Sequence, residues 1–216
     1  MTARTLGTLL ALGIVPGLAD VSSAQPGIVD RFESDSALHR AAHLGDVVSL
    51  QRELDAETGP NAVNRFGVTP LSLACTGGHV EAITLLLNAG ADPNHASPSG
   101  ETPLMVAART GVVDSVVALL EHGADPLARE SWMGQTALMW AAAERHADVI
   151  GPLVASGADV NSRTNSGFTP LMFATRLGHI ETVDALLDAG ADMLGRTLTD
   201  EMAYSPSGEN FHYGTP

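Results

Sequence analysis

The sequence predicts an all-α repeat solenoid of about five stacked helix-turn-helix units. Three observations carry that prediction. A Ser or Thr recurs at positions 36, 69, 102, 136 and 169, at spacings of 33, 33, 34 and 33 residues. Each is followed by two short apolar runs parted by a turn signal, and the last four units close on Gly-Ala-Asp. A unit of that length is too small to bury its own apolar face, so its stability must come from stacking on its neighbours.

Taken in order, each unit opens at a helix N-terminus. Thr69, Thr102, Thr136 and Thr169 are N-cap residues, and Pro70, Pro103 and Pro170 stand at the first helical position, where a missing N–H costs nothing. The first helix runs about two turns to Gly45, Gly78, Gly111 or Gly178, which break it. Small alanines at 41–42, 74, 107–108, 141–142 and 174 let neighbouring first helices approach closely. The second helix carries an apolar stripe, such as Val80, Ile83, Leu86 and Leu87, or Val113, Val116, Leu119 and Leu120. It ends at Gly90, Gly123, Gly157 or Gly190. Asp92, Asp125, Asp159 and Asp192 then fix a turn, and Gly67, Gly100, Gly134 and Gly167 mark the hairpin loop that returns the chain.

The motifs T-P-L-x-x-A, a central G-H and L-L-x-x-G-A-D-x-N resemble the ankyrin repeat over about residues 33–195. On that reading, residues 35–65 are a degenerate first repeat and 66–98, 99–131, 132–165 and 166–196 are the following four. Arg52 and Glu53 replace apolar residues in the first repeat, as a solvated end cap needs. Residues 197–216 are a short capping helix with Thr197 or Thr199 as N-cap, then a flexible tail containing Phe211, His212 and Tyr213.

Residues 1–24 have another character. Arg4, the apolar run Leu6 to Val15, Pro16 and the small residues Ser22 and Ala24 form a secretory signal layout, with cleavage expected after Ala24 and a linker at 25–34. The apolar run is far short of the roughly 20 residues that span a bilayer, so stable membrane insertion is not expected. The expected location is periplasmic or secreted, and the expected state is a monomer. All positive charge is Arg, and the net charge of −14 argues against nucleic acid, which needs a basic surface. The single cysteine, Cys75, excludes an intramolecular disulfide; it stands where other repeats have Ala, so a buried small residue is expected.

No catalytic motif, cofactor or metal site is predicted. His79, His146 and His179 occupy the inter-helix turn of their repeats, where a hydrogen bond explains them. His39 and His43 lie four apart on one helix, a spacing that suits a metal but without a third ligand, so a pair on the capping helix surface is expected.

The resemblance implies a concave groove lined by the loop tips and the exposed side of each first helix. Those positions hold Arg65, Phe66 and Val68; Pro98, Ser99, Glu101, Arg109 and Thr110; Trp132, Met133, Gln135 and Glu144; Asn165, Ser166, Phe168, Arg176 and Leu177. Phe66, Arg109, Thr110, Trp132, Met133, Glu144, Phe168, Arg176 and Leu177 are the candidate partner-binding residues, because aromatics and Arg on a rigid surface make hot spots. Trp132 stands out, since the one-residue insertion before Thr136 should push its loop outward. Trp140 and Phe173, inside first helices, are expected in the core. The function expected is a non-catalytic protein-binding module for a neutral or basic protein. Two alternatives are a metal- or haem-handling accessory subunit using His39, His43, His95 or His212, and a cytoplasmic ankyrin regulator whose N-terminus is kept.

Overall fold

Capping and apolar spacing predict five helix pairs, and the computed structural model, which describes residues 36–56 and 59–193, contains them. The first helices are α1 (Ala37–Leu44), α3 (Pro70–Gly77), α5 (Pro103–Thr110), α7 (Ala137–Ala143) and α9 (Pro170–Leu177). The second helices are α2 (Val47–Asp55), α4 (Val80–Asn88), α6 (Val113–Glu121), α8 (Ala147–Ala155) and α10 (Ile180–Asp188). No strand occurs among the described residues. The expected signal segment 1–24, the linker 25–34, Asp35, and everything from 194 on, including the capping helix and His212, lie outside the described residues.

Two parallel rows result. First helices pack α1 on α3, α3 on α5, α5 on α7 and α7 on α9, while second helices form a second row behind them from α2 to α10. The core lies between the rows. It contains Leu38, Leu71, Leu104 and Leu138 from first helices and Leu50, Ile83, Leu86, Leu119, Ile150 and Leu153 from second helices. The alanines predicted to permit close approach are buried, as is Cys75. Burying one Leu or Ile contributes about 1.5–3 kcal/mol, and no single repeat has enough of them to stand alone.

Local signals explain most helix ends. Ser36, Thr69, Thr102 and Thr169 accept from the backbone N–H three residues on. Thr136 does not, which corrects the prediction for the fourth repeat. There the N–H of Met139 is taken by the backbone carbonyl of Thr136, so the hydroxyl loses its donor and is buried without a partner. The inter-helix glycine has a packing reason as well as a conformational one. A Cβ on Gly45 would lie 2.7 Å from the ring of His79 in the next repeat. In repeat four Arg145 takes that position and is driven to φ 68, a left-handed conformation costly for a side-chain-bearing residue.

Polar clamps tie successive repeats. Asn61 donates to Gly90 O and accepts from Asp92 N, and Asn94 does the same with Gly123 and Asp125 one repeat on. Asn161 repeats it with Gly190 and Asp192. Leu127 holds the equivalent position between repeats three and four and cannot clamp. A histidine series runs beside this one. His79 Nε2 donates to His43 O at 3.1 Å and His146 Nε2 to Arg109 O at 2.9 Å. His179 uses Nδ1 instead, to Ala142 O at 3.2 Å, in the junction where Arg145 replaces the glycine. Val112 breaks this series between repeats two and three. Each interior junction therefore has one clamp type where each end junction has both.

Candidate functional site

The return loops are hairpin fingers, each closed across its base by a backbone bond: Asn64 N to Val68 O, Ser97 N to Glu101 O, Glu130 N to Gln135 O and Thr164 N to Phe168 O. The residue opening each finger also braces it with a side-chain acceptor. Asn64 Oδ1 accepts from Phe66 and Val68, Ser97 Oγ from Glu101, and Thr164 Oγ1 from Phe168. The third finger is one residue longer, and a longer acceptor fits it. Glu130 accepts from Trp132 N at 2.6 Å, Met133 N at 2.8 Å and Gln135 N at 2.9 Å. Only 8% of Glu130 is exposed. Burial raises its pKa, but the N–H groups of Gln135, Trp132, Met133 and Gly134 outweigh that and hold it below 4.5. Adjacent fingers are joined by Ser131 N to Ser99 O and Asn165 N to Met133 O.

This brace presents Trp132. Its side chain is 86% exposed, at the tip of a loop whose backbone is held from both sides. Met133 is also exposed, and Phe66 is 49% exposed with the Arg65 guanidinium 4.8 Å over its ring. Phe168 is only half-buried and packs against Phe173 of its own repeat, ring centroids 5.9 Å apart. On the first helices Arg109, Glu144, Arg176 and Leu177 are exposed. Thr110 is half-buried and spends its hydroxyl on Ala107 O.

Trp140 and Phe173 correct the sequence reading. Neither is in the core; both are half-buried at equivalent positions of the packed helices α7 and α9. Trp140 Nε1 donates to Gln135 Oε1 at 3.2 Å, and the Arg109 guanidinium from the preceding repeat lies 5.1 Å over its ring. Leu73 is half-buried at the same position of α3, while Val106 there is buried in the core, so half-buried apolar side chains at 73, 140 and 173 lie along the first helices with arginines nearby. The spacing 73, 106, 140, 173 was available in the sequence; helical periodicity alone does not separate a core side from a groove side in a two-turn helix.

His39 also departs from expectation. It is buried, its Nε2 donates to Val68 O, and its Nδ1 accepts from the Ser36 hydroxyl at 2.7 Å. Both nitrogens serve packing, while His43 is exposed. No group of three His, Cys, Asp or Glu that could hold a metal occurs among the described residues. The Asp positions act as predicted: Asp92, Asp125 and Asp159 each accept from the N–H two residues on. No helix among the described residues is long and apolar enough to cross a membrane.

Stacked helix pairs with hairpin fingers define a repeat-built interaction scaffold. A family model for ankyrin repeats in three copies matches residues 11–97, 38–130 and 128–196, so the chain belongs to the ankyrin-repeat family. Ankyrin repeats are as a class protein-interaction modules and typically non-catalytic. Among curated proteins the chain is similar to E3 ubiquitin-protein ligase XB3 of Oryza sativa subsp. japonica, 36% identical over 78 residues, which are 35% of this chain and 17% of that protein. It is similar to osteoclast-stimulating factor 1 of Gallus gallus, 37% identical over 60 residues, covering 27% of this chain and 30% of that protein. The Sus scrofa counterpart gives 37% over 60 residues, 27% and 28%. The chain spans less than a third of the length of these relatives.

Proposed function

We propose that the chain is a non-catalytic module that holds a partner protein against the face made by its fingers and first helices. The observation that carries this is the braced finger. A buried carboxylate, Glu130, is committed to fixing a loop whose largest side chain, Trp132, is left in solvent. A loop whose backbone is already fixed loses less entropy when its exposed ring is bound.

The same repeat concentrates the departures from the pattern. Repeat four has the finger insertion, the unsatisfied Thr136, Ala137 in place of Pro, Arg145 at positive φ and Pro152 inside α8. Local rules are broken where function takes precedence over stability. Trp132, Met133, Gln135 and Trp140 all belong to this repeat, with Arg109 reaching over from the one before.

The proposal includes export to the periplasm or exterior as a monomer, supported by the Arg4, apolar-run, Pro16 and Ser22-x-Ala24 layout. Intact mass in the native host tests it: a chain beginning at Gln25 fits, and one beginning at Met1 contradicts it. For binding, full-length chain serves as bait in native extract beside its Trp132→Ala variant. A partner retained by the first and lost by the second is expected; equal capture by both would remove Trp132 from the site.

A further inference from the structure

The net charge of −14 is not spread evenly over the two rows. Of the eight arginines among the described residues, six stand on first helices or fingers: Arg40, Arg65, Arg109, Arg129, Arg163 and Arg176. Carboxylates there are Glu101, Glu144 and Glu130, and the last is buried against its own loop. The second helices and the turns that close them carry the acid, from Glu53 and Asp55 to Asp188 and Asp192, against the single Arg52.

Local sign outweighs total sign at a binding face. Packed helix axes lie about 8–10 Å apart, and at physiological salt the screening length is about 8 Å. A ligand lying on the first helices therefore interacts mainly with the arginines beneath it. Arg129 spends its guanidinium on Gly134 O and Arg163 O, so the groups that matter most are Arg65, Arg109 and Arg176. Arg65 and Arg109 are each steadied on an aromatic ring. The same first helices carry the half-buried apolar side chains Leu73, Trp140 and Phe173, with Val106 buried at the equivalent position of α5.

We infer that the partner segment this face takes is acidic with apolar anchors: Asp or Glu side chains on the arginines, and Leu- or Phe-like side chains on the row from Leu73 to Phe173. The inference rests on the binding role proposed above and reverses the expectation of a neutral or basic partner. A protein segment fits better than nucleic acid, because the row offers apolar contact rather than a run of phosphate-pairing cations.

The test selects random displayed peptides of about twelve residues, roughly 40 Å when extended, on immobilised full-length chain and on its Arg109→Glu/Arg176→Glu variant. The expected winners on the parent chain are net negative with Leu or Phe. At about 0.15 M salt, where screening acts over ~8 Å, they lose at least about tenfold in affinity on the variant. Basic or neutral winners, no winners, or winners indifferent to the variant overturn the inference. So does displacement of the winners by single-stranded oligothymidylate, which would point to nucleic acid. Self-association of the chain that the variant abolishes also overturns it, in favour of a second copy's acidic back. Basic winners that still lose binding on Trp132→Ala would defeat the charge reading and leave the binding role standing.

Discussion

The guanidinium of Arg109 lies 5.1 Å over the ring of Trp140, which belongs to the next repeat. The contact joins two repeats on the solvent side of the array, at the junction where Leu127 interrupts the Asn clamps. It is a stacking contact and part of the proposed binding face at once. Single substitutions Arg109→Ala and Trp140→Ala and their double mutant should show a coupling of about 0.5–1 kcal/mol by denaturant unfolding. Additive effects would mean that the two side chains are merely neighbours.

Glu130 makes the Trp132 finger acid-sensitive. Its pKa is lower folded than unfolded, so its contribution is present above the unfolded value of 4.5 and is lost as pH falls through the folded value. Amide exchange at residues 131–135, taken relative to the intrinsic rate at each pH, should therefore lose its protection in acid before the helices open. Glu130→Ala should bring that exchange to neutral pH and cost about 1–3 kcal/mol, since it strands several backbone donors. Unchanged exchange at 131–135 in the variant would contradict the brace.

Arg145 sits at φ 68, where later and earlier repeats use glycine. Arg145→Gly should stabilise the chain by about 1 kcal/mol, read as a higher denaturation midpoint with unchanged slope. The strain argument fails if the midpoint drops.

Leu127→Asn should restore the missing clamp to Gly157 O and Asp159 N and add about 0.5–1.5 kcal/mol. The matching loss, Asn161→Leu, should be larger than the gain, because it leaves two polar groups without their partner.

Cys75 is fully buried and burial pushes its thiol far above the ordinary value of 9.0. A thiol reagent should label it at the rate of local opening and not at the rate of a free thiolate. Rapid labelling of the native chain would contradict its place on the buried side of α3.

The architecture was legible because each turn of the repeat uses a residue with one dominant backbone use: Thr-Pro to start a helix, glycine to end one, Asp to close a turn. Legible too was the exposure of Trp132, since an inserted residue has nowhere to go but outward. The rest depends on pairs far apart in sequence. Asn61 and Asp92, or His146 and Arg109, meet only because the repeats stack, and no window on one repeat shows it. Thr136 carries the N-cap residue type yet loses its donor to its own carbonyl, a competition decided by geometry. His39 reads as one of a surface pair until the Val68 carbonyl of the next finger arrives to accept its hydrogen bond. The proposed acidic partner departs from the total charge for a different reason: that total sums the first-helix and finger side with the second-helix side. Sorting the same residues by repeat position would have separated them.

The central claim is that partners are held on the finger and first-helix side. Site-specific photocrosslinking in the native host tests it most directly, with p-benzoylphenylalanine replacing Trp132 on the finger in one strain and Val117 on α6 in another. A defined protein adduct is expected from position 132 and none from position 117. Adducts from 117 alone, or from neither position, would contradict it.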